Sequence, residues 1–146
     1  MHSLILLCFA LVAAVYADDV KFKDCGSKAG TIVSVDITPC PQFPCALKRG
    51  TNATTTVVFT SKTQSETATA KVYGVIANVP VPFPVPNSDG CKTGVTCPVE
   101  NGVKYTYKNS IFVSKLYPKV QVVVEWSLVD DKGENIFCFA VPAQVS

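Results

Sequence analysis

The sequence predicts an all-β chain, an antiparallel sandwich of about seven short strands. Three observations predict it. Apolar and polar residues alternate with period two in several stretches, glycine and proline punctuate the chain between them, and no helical stripe stands out beyond the N-terminal segment.

That N-terminal segment comes first. Met1 to Ala17 carries no Lys, Arg, Asp or Glu and runs through Leu4-Ile5-Leu6-Leu7-Cys8-Phe9 to Val15-Tyr16-Ala17. It reads as a secretory signal peptide, too short for a membrane span, with cleavage just before Asp18. Residues 18–146 then form a single domain of about 130 residues, enough for one core and too few for two.

Strands are expected at about 19–24, where the mature chain begins, and over Val33, Val35 and Ile37, which alternate with Ser34 and Asp36. A Thr-rich, β-branched run follows at 53–61, then another strand at 67–77. Val103, Tyr105 and Tyr107 alternate with Lys104, Thr106 and Lys108. The clearest alternation is Val120, Val122, Val124, Trp126 and Leu128, which face Lys119, Gln121, Glu125 and Ser127 across the pleat. Asp130-Asp131-Lys132-Gly133 has the residues of a hairpin turn and leads into a last strand at 135–145.

One stretch departs from this logic. Val79-Pro80-Val81-Pro82-Phe83-Pro84-Val85-Pro86 has proline at every second position, so it must be a sheet edge or a polyproline-like strap. Its odd positions present a row of apolar side chains suited to the mouth of a cavity. The alternative is a rigid surface loop packed onto the core.

Composition excludes several functions. With Cys8 and His2 removed, the mature chain keeps six of seven cysteines and has no histidine. Ser-His-Asp and Cys-His catalysis and the commonest zinc ligand are therefore absent. Six cysteines in a small exported domain read as three disulfides, which takes them out of nucleophilic and metal chemistry. Short loops close most easily, favouring Cys40 with Cys45 and Cys91 with Cys97, which leaves Cys25 for Cys138. A carboxylate pair remains as the one catalytic device, from Asp36, Glu66, Asp89, Glu100, Glu125, Asp130 and Asp131. Hairpin formation explains the two turn acids more simply, and a solvent-facing strand position explains Glu125. The chain reads as no enzyme, with no cofactor and no metal.

The net charge is +2 and lysines such as Lys21, Lys48, Lys71, Lys92, Lys115 and Lys119 are dispersed, so no nucleic-acid footprint is expected. Asn52-Ala53-Thr54 is the only N-glycosylation sequon. Aromatics are plentiful, and core packing accounts for much of Trp126 and Phe137. Phe83 in the proline strap and Tyr117 beside Pro118 fit a strand-paired core less readily, which makes them candidates for lining a pocket.

The cysteine order with Cys40-Pro41-Gln42-Phe43-Pro44-Cys45, the strap followed by Asp89-Gly90-Cys91-Lys92, and Tyr117-Pro118 leading to Val123-Val124-Glu125-Trp126 carry a family likeness. Together they resemble the soluble Niemann-Pick type C sterol carriers (epididymal secretory proteins) of the ML lipid-recognition domain family. The resemblance covers essentially the whole mature chain. It implies an immunoglobulin-like sandwich with those three disulfides and an apolar sterol cavity between the sheets.

Position by position, it implies that Phe83, Val113, Tyr117 and Pro118 gate and line the mouth, while Leu47 and Trp126 form the deeper wall. Asp89 and Lys92 match surface positions of sterol hand-off, and Ile76, Val79 and Val81 match an apolar knob that docks onto a membrane partner. The implied protein is a secreted monomer that passes its sterol to a membrane transporter or an anionic membrane surface. Lysosomal delivery through a glycan at Asn52 is implied by the resemblance alone. The sequon stands a few residues before the family's common position, Phe139 replaces a tryptophan of the vertebrate members, and Ala53 replaces a larger aromatic. These changes reshape the cavity and leave a carrier of fatty acids or semiochemical lipids as an alternative; a structural or adhesion sandwich with a filled core is a separate one.

Overall fold

Alternating side chains can bury only one face of a strand, so the strands must pair face to face in two layers. A computed structural model describes residues 20–146; the expected signal peptide and its cleavage point lie outside the described residues. The strands are β1 (Lys23–Asp24), β2 (Gly30–Thr38), β3 (Cys45–Leu47), β4 (Asn52–Ser61), β5 (Thr69–Ile76), β6 (Val79–Phe83), β7 (Lys104–Phe112), β8 (Gln121–Val129) and β9 (Asn135–Val145). One sheet has the order β2-β4-β7; the other has the order β1-β9-β8-β5-β6, with β3 also paired to β9. Seven of these strands have five or more residues, which matches the number expected.

The Thr-rich run forms β4, the centre of the smaller sheet, with Ala53, Thr55, Val57 and Phe59 pointing inward. β8 carries its expected row inward at Val124, Trp126 and Leu128. The turn between β8 and β9 is built by Asp130. Its Oδ1 accepts from the N–H of Lys132 and of Glu134, each at 2.9 Å, and Gly133 supplies a positive φ of 82°.

Three local expectations are corrected. Val33 does not share the inward face with Val35 and Ile37: a bulge between Ile32 and Ser34 shifts the alternation, leaving Val33 52% exposed. Val103 lies just outside β7, in a turn where Gly102 has a φ of 83°. β3 was not expected at all. It has three residues and runs parallel to β9, a pairing with the far end of the chain that no local pattern announces.

The proline strap is an edge. β6 pairs antiparallel with β5, Val81 opposite Gly74 and Phe83 opposite Val72. Because proline has no N–H, only the odd residues can donate to β5. Pro80 and Pro82 therefore fall on the free side and leave that edge poor in donors, which discourages further pairing.

The disulfides join Cys25 to Cys138, Cys40 to Cys45 and Cys91 to Cys97, the pairs that loop closure favours. The first closes 113 residues and ties the segment after β1 to β9. At that end the interior is solid, with Phe137 packed against Phe59 at a ring-centroid distance of 5.3 Å and against Tyr107 at 5.6 Å.

Candidate ligand site between the sheets

The opposite end is hollow. A chamber of about 320 Å³ opens between the strap, the start of β8 and the Tyr117-Pro118 turn. Its wall includes Gly74, Ile76, Val81, Phe83, Val122 and Val124, and among the described residues no charged side chain contributes to it. Phe83 and Tyr117 meet edge to face across the opening, with ring centroids 5.1 Å apart. Arg49 holds the Tyr117 turn in place: its Nη1 donates to the carbonyls of Lys115 and Tyr117, both at 3.3 Å.

Behind this chamber lies a slit of about 20 Å³. Trp126, Phe139, Ala53, Ile37 and Ile111 line it, and Leu47 and Val124 belong to both spaces, forming the neck between them. The slit is lined mainly by apolar side chains, and its polar neighbours have partners of their own. Thr55 turns its hydroxyl to the Asp36 carbonyl at 3.3 Å, and the Trp126 indole N–H donates to the Tyr107 hydroxyl at 3.2 Å, so Trp126 is satisfied away from the slit. Asn109 donates to the same hydroxyl at 3.0 Å. Burial pushes the Tyr107 phenol above its ordinary pKa, against these two hydrogen bonds, which act in the other direction.

Leu47, Phe83, Tyr117 and Pro118 therefore sit together at the outer chamber, and Trp126 sits in the slit. Val113 lines neither space. It is 1% exposed, and its backbone bonds to Gly50 and Thr51 support the loop that carries Arg49. Ile76 and Val81 face the chamber as well as its rim, while Val79 stands out at 60% exposed. Asp89 caps a short 3-10 turn, Gly90–Lys92, accepting from the Cys91 N–H at 2.9 Å. This turn joins β5 at its beginning, next to Ala68, whereas Ile76 ends β5. At about 3.3 Å per residue, the two groups of surface residues stand roughly 23 Å apart along the strand, so they do not form one patch.

Sequence reasoning missed Gly74, Val122 and Val145 as wall residues. Val122 lay in the inward row of β8, and a glycine inside a strand signals a close approach or a missing side chain, so two of the three had a usable signal. Val145 reaches the chamber only because β9 pairs with both β8 and β3. Ala53 and Phe139, the two departures from the family pattern, both line the slit. Among the described residues, no group of three or more His, Cys, Asp or Glu is placed to hold a metal.

The fold and site define a small disulfide-stapled β-sandwich with an apolar chamber at one end of its core. The family model of the ML domain matches residues 19–145, so the chain belongs to the ML domain family, whose members are binding proteins rather than enzymes. The chain is 49% identical over 139 residues to NPC intracellular cholesterol transporter 2 of Bos taurus, covering 95% of this chain and 93% of that protein. It is 41% identical over 137 residues to the ecdysteroid-regulated 16 kDa protein of Manduca sexta, with 92% and 94% covered. The crystal structure of a Niemann-Pick type C2 protein from Japanese carpenter ant superposes with a TM-score of 0.81 at 32% identity, covering 87% of this chain and 100% of that one.

Proposed function

We propose that the chain, secreted after loss of residues 1–17, carries a sterol between membranes as a monomer. The observation that carries this reading is the apolar chamber closed by Phe83 and Tyr117, with a second apolar space behind Leu47 and Val124. A volume of about 320 Å³ lies within the range of roughly 300–1,000 Å³ that buries small ligands. Each Å² of apolar surface withdrawn from water contributes about 25 cal/mol. The ligand's aliphatic end enters first, parts Leu47 from Val124 and contacts Trp126, while its hydroxyl stays at the Tyr117-Pro118 mouth. The relatives named as cholesterol transporters support this reading.

Release occurs against a membrane or a membrane transporter, so the ligand never crosses water. As carboxylates protonate, a chain of net charge +2 becomes more positive and is drawn to anionic lipid. Transfer to anionic vesicles is expected to be faster at acidic than at neutral pH, and equal rates would remove the electrostatic part.

A second reading, a carrier of fatty acids or related lipids, is favoured by the narrowness of the inner slit, which suits a flexible acyl chain better than fused rings. Native mass spectrometry of the secreted protein tests both: a co-purified lipid is expected, and competition between a sterol and oleate assigns its class. A protein that carries no lipid and takes up neither probe would defeat the carrier reading and leave the adhesion sandwich.

A further inference from the structure

The outer face of the smaller sheet is mostly polar, with Val33 exposed at the β2 bulge and Val58 half-buried on β4. Along β4 and β7 it presents Thr54, Thr56, Thr106, Lys108 and Ser110, and the hydroxyls of Thr54 and Ser110 bond across the strands at 2.7 Å. One register step further, Asn52 stands directly opposite Phe112, on this same face. Phe112 is 51% exposed, the one large aromatic that this sheet turns to solvent among the described residues. Directly opposed residues place their Cβ atoms about 5 Å apart. The exposed ring and the acceptor nitrogen of the chain's only sequon are therefore neighbours, brought together by a pairing that spans sixty positions of sequence.

We propose that Asn52 carries an N-linked glycan and that Phe112 is the platform for its first N-acetylglucosamine. In the attachment step the Asn52 Nδ2 attacks C1 of the sugar on a lipid-linked oligosaccharyl diphosphate. The C1–N bond forms as the C1–O bond to the diphosphate breaks, and one amide proton leaves with the released diphosphate. Three disulfides fit the oxidising compartment where this donor is used. A pyranose ring has an apolar face of C–H groups, which packs on an aromatic face and removes both from water. This gives the one exposed aromatic ring of the sheet, among the described residues, a partner supplied by its own cross-strand neighbour. The proposal stands whether or not the chamber binds a sterol, since the chamber lies between the sheets and this pair lies outside them.

The test uses the full chain secreted from a eukaryotic host, with its glycan trimmed to a single N-acetylglucosamine. Peptide mass spectrometry is expected to find the sugar on Asn52. Thermal unfolding is then compared for the glycosylated protein, Asn52→Gln, glycosylated Phe112→Thr and the double variant; threonine suits an exposed strand position, so the fold is kept. The sugar is expected to raise Tm by about 3 °C with Phe112 present and to leave it unchanged in Phe112→Thr, while Phe112→Tyr restores the gain. Sugar C–H protons are expected to shift upfield in NMR spectra of the wild type and not of Phe112→Leu. An unmodified Asn52, an equal gain in Tm in both backgrounds, or unshifted sugar protons would each overturn the proposal.

Discussion

The two ends of the sandwich differ although they are built from the same strands. At the end held by the Cys25–Cys138 disulfide, Phe59, Tyr107 and Phe137 interlock and the Asp130 turn satisfies its own backbone. At the other end β8 and β9 present valines, β5 contributes a glycine, and the rings of Phe83 and Tyr117 close the opening without filling the space behind it. Small side chains between sheets about 10 Å apart leave a gap that large ones would fill. Stability is thus concentrated where the interior is solid, and the hollow end is free to accept a guest.

The strongest way to break this comparison is Phe137→Ala, which is expected to lower unfolding free energy by about 3–5 kcal/mol in chemical denaturation and to leave lipid uptake intact in the surviving folded fraction. Replacing Cys25 and Cys138 together by alanine is expected to lower stability by about 2–5 kcal/mol, read in the same denaturation curves, because the loop it closes spans most of the domain. Tyr107→Phe sits between the two ends. It leaves the Trp126 indole N–H without its partner and is expected to lower stability by about 1–3 kcal/mol.

At the hollow end the pattern reverses. Phe83→Ala and Gly74→Leu are each expected to change stability by less than about 1 kcal/mol while weakening sterol binding by about tenfold or more in a fluorescence titration. The first opens the mouth. The second fills the chamber from β5, where an added Cβ meets only the Val122 side chain, at 3.1 Å. If Phe83→Ala destabilised the fold as much as Phe137→Ala, the two ends would not differ in the way described.

The smallest expected effect belongs to Asp24, back at the solid end. Burial pushes its carboxyl up, but hydrogen bonds from the N–H groups of Gly26 and Ser27 and from the Ser27 hydroxyl outweigh it and hold the pKa below the usual value. The associated stability is present above the unfolded-state pKa and is lost as pH falls through the lowered folded-state pKa. Asp24→Asn is expected to flatten the acid limb of Tm against pH slightly.

Much of the fold was legible because its determinants are local. Alternation placed Val124, Trp126 and Leu128 inward, the Asp130-Gly133 segment announced its turn, and proline at alternate positions confined β6 to an edge. Loop length was enough to choose the cysteine pairs. Phe83 and Tyr117 were marked out because they fit a strand-paired core less readily, Pro118 was marked by the family resemblance, and the three meet at one opening.

What only the tertiary structure decided depends on residues far apart in the chain. The parallel pairing of β3 with β9 and the bulge that turns Val33 outward are settled by partner strands, not by the residues themselves. The same holds for the proximity of Asn52 to Phe112. The chamber is the clearest case: a void is the difference between the space two sheets enclose and the volume of the side chains that meet across it, and no single segment contains that difference.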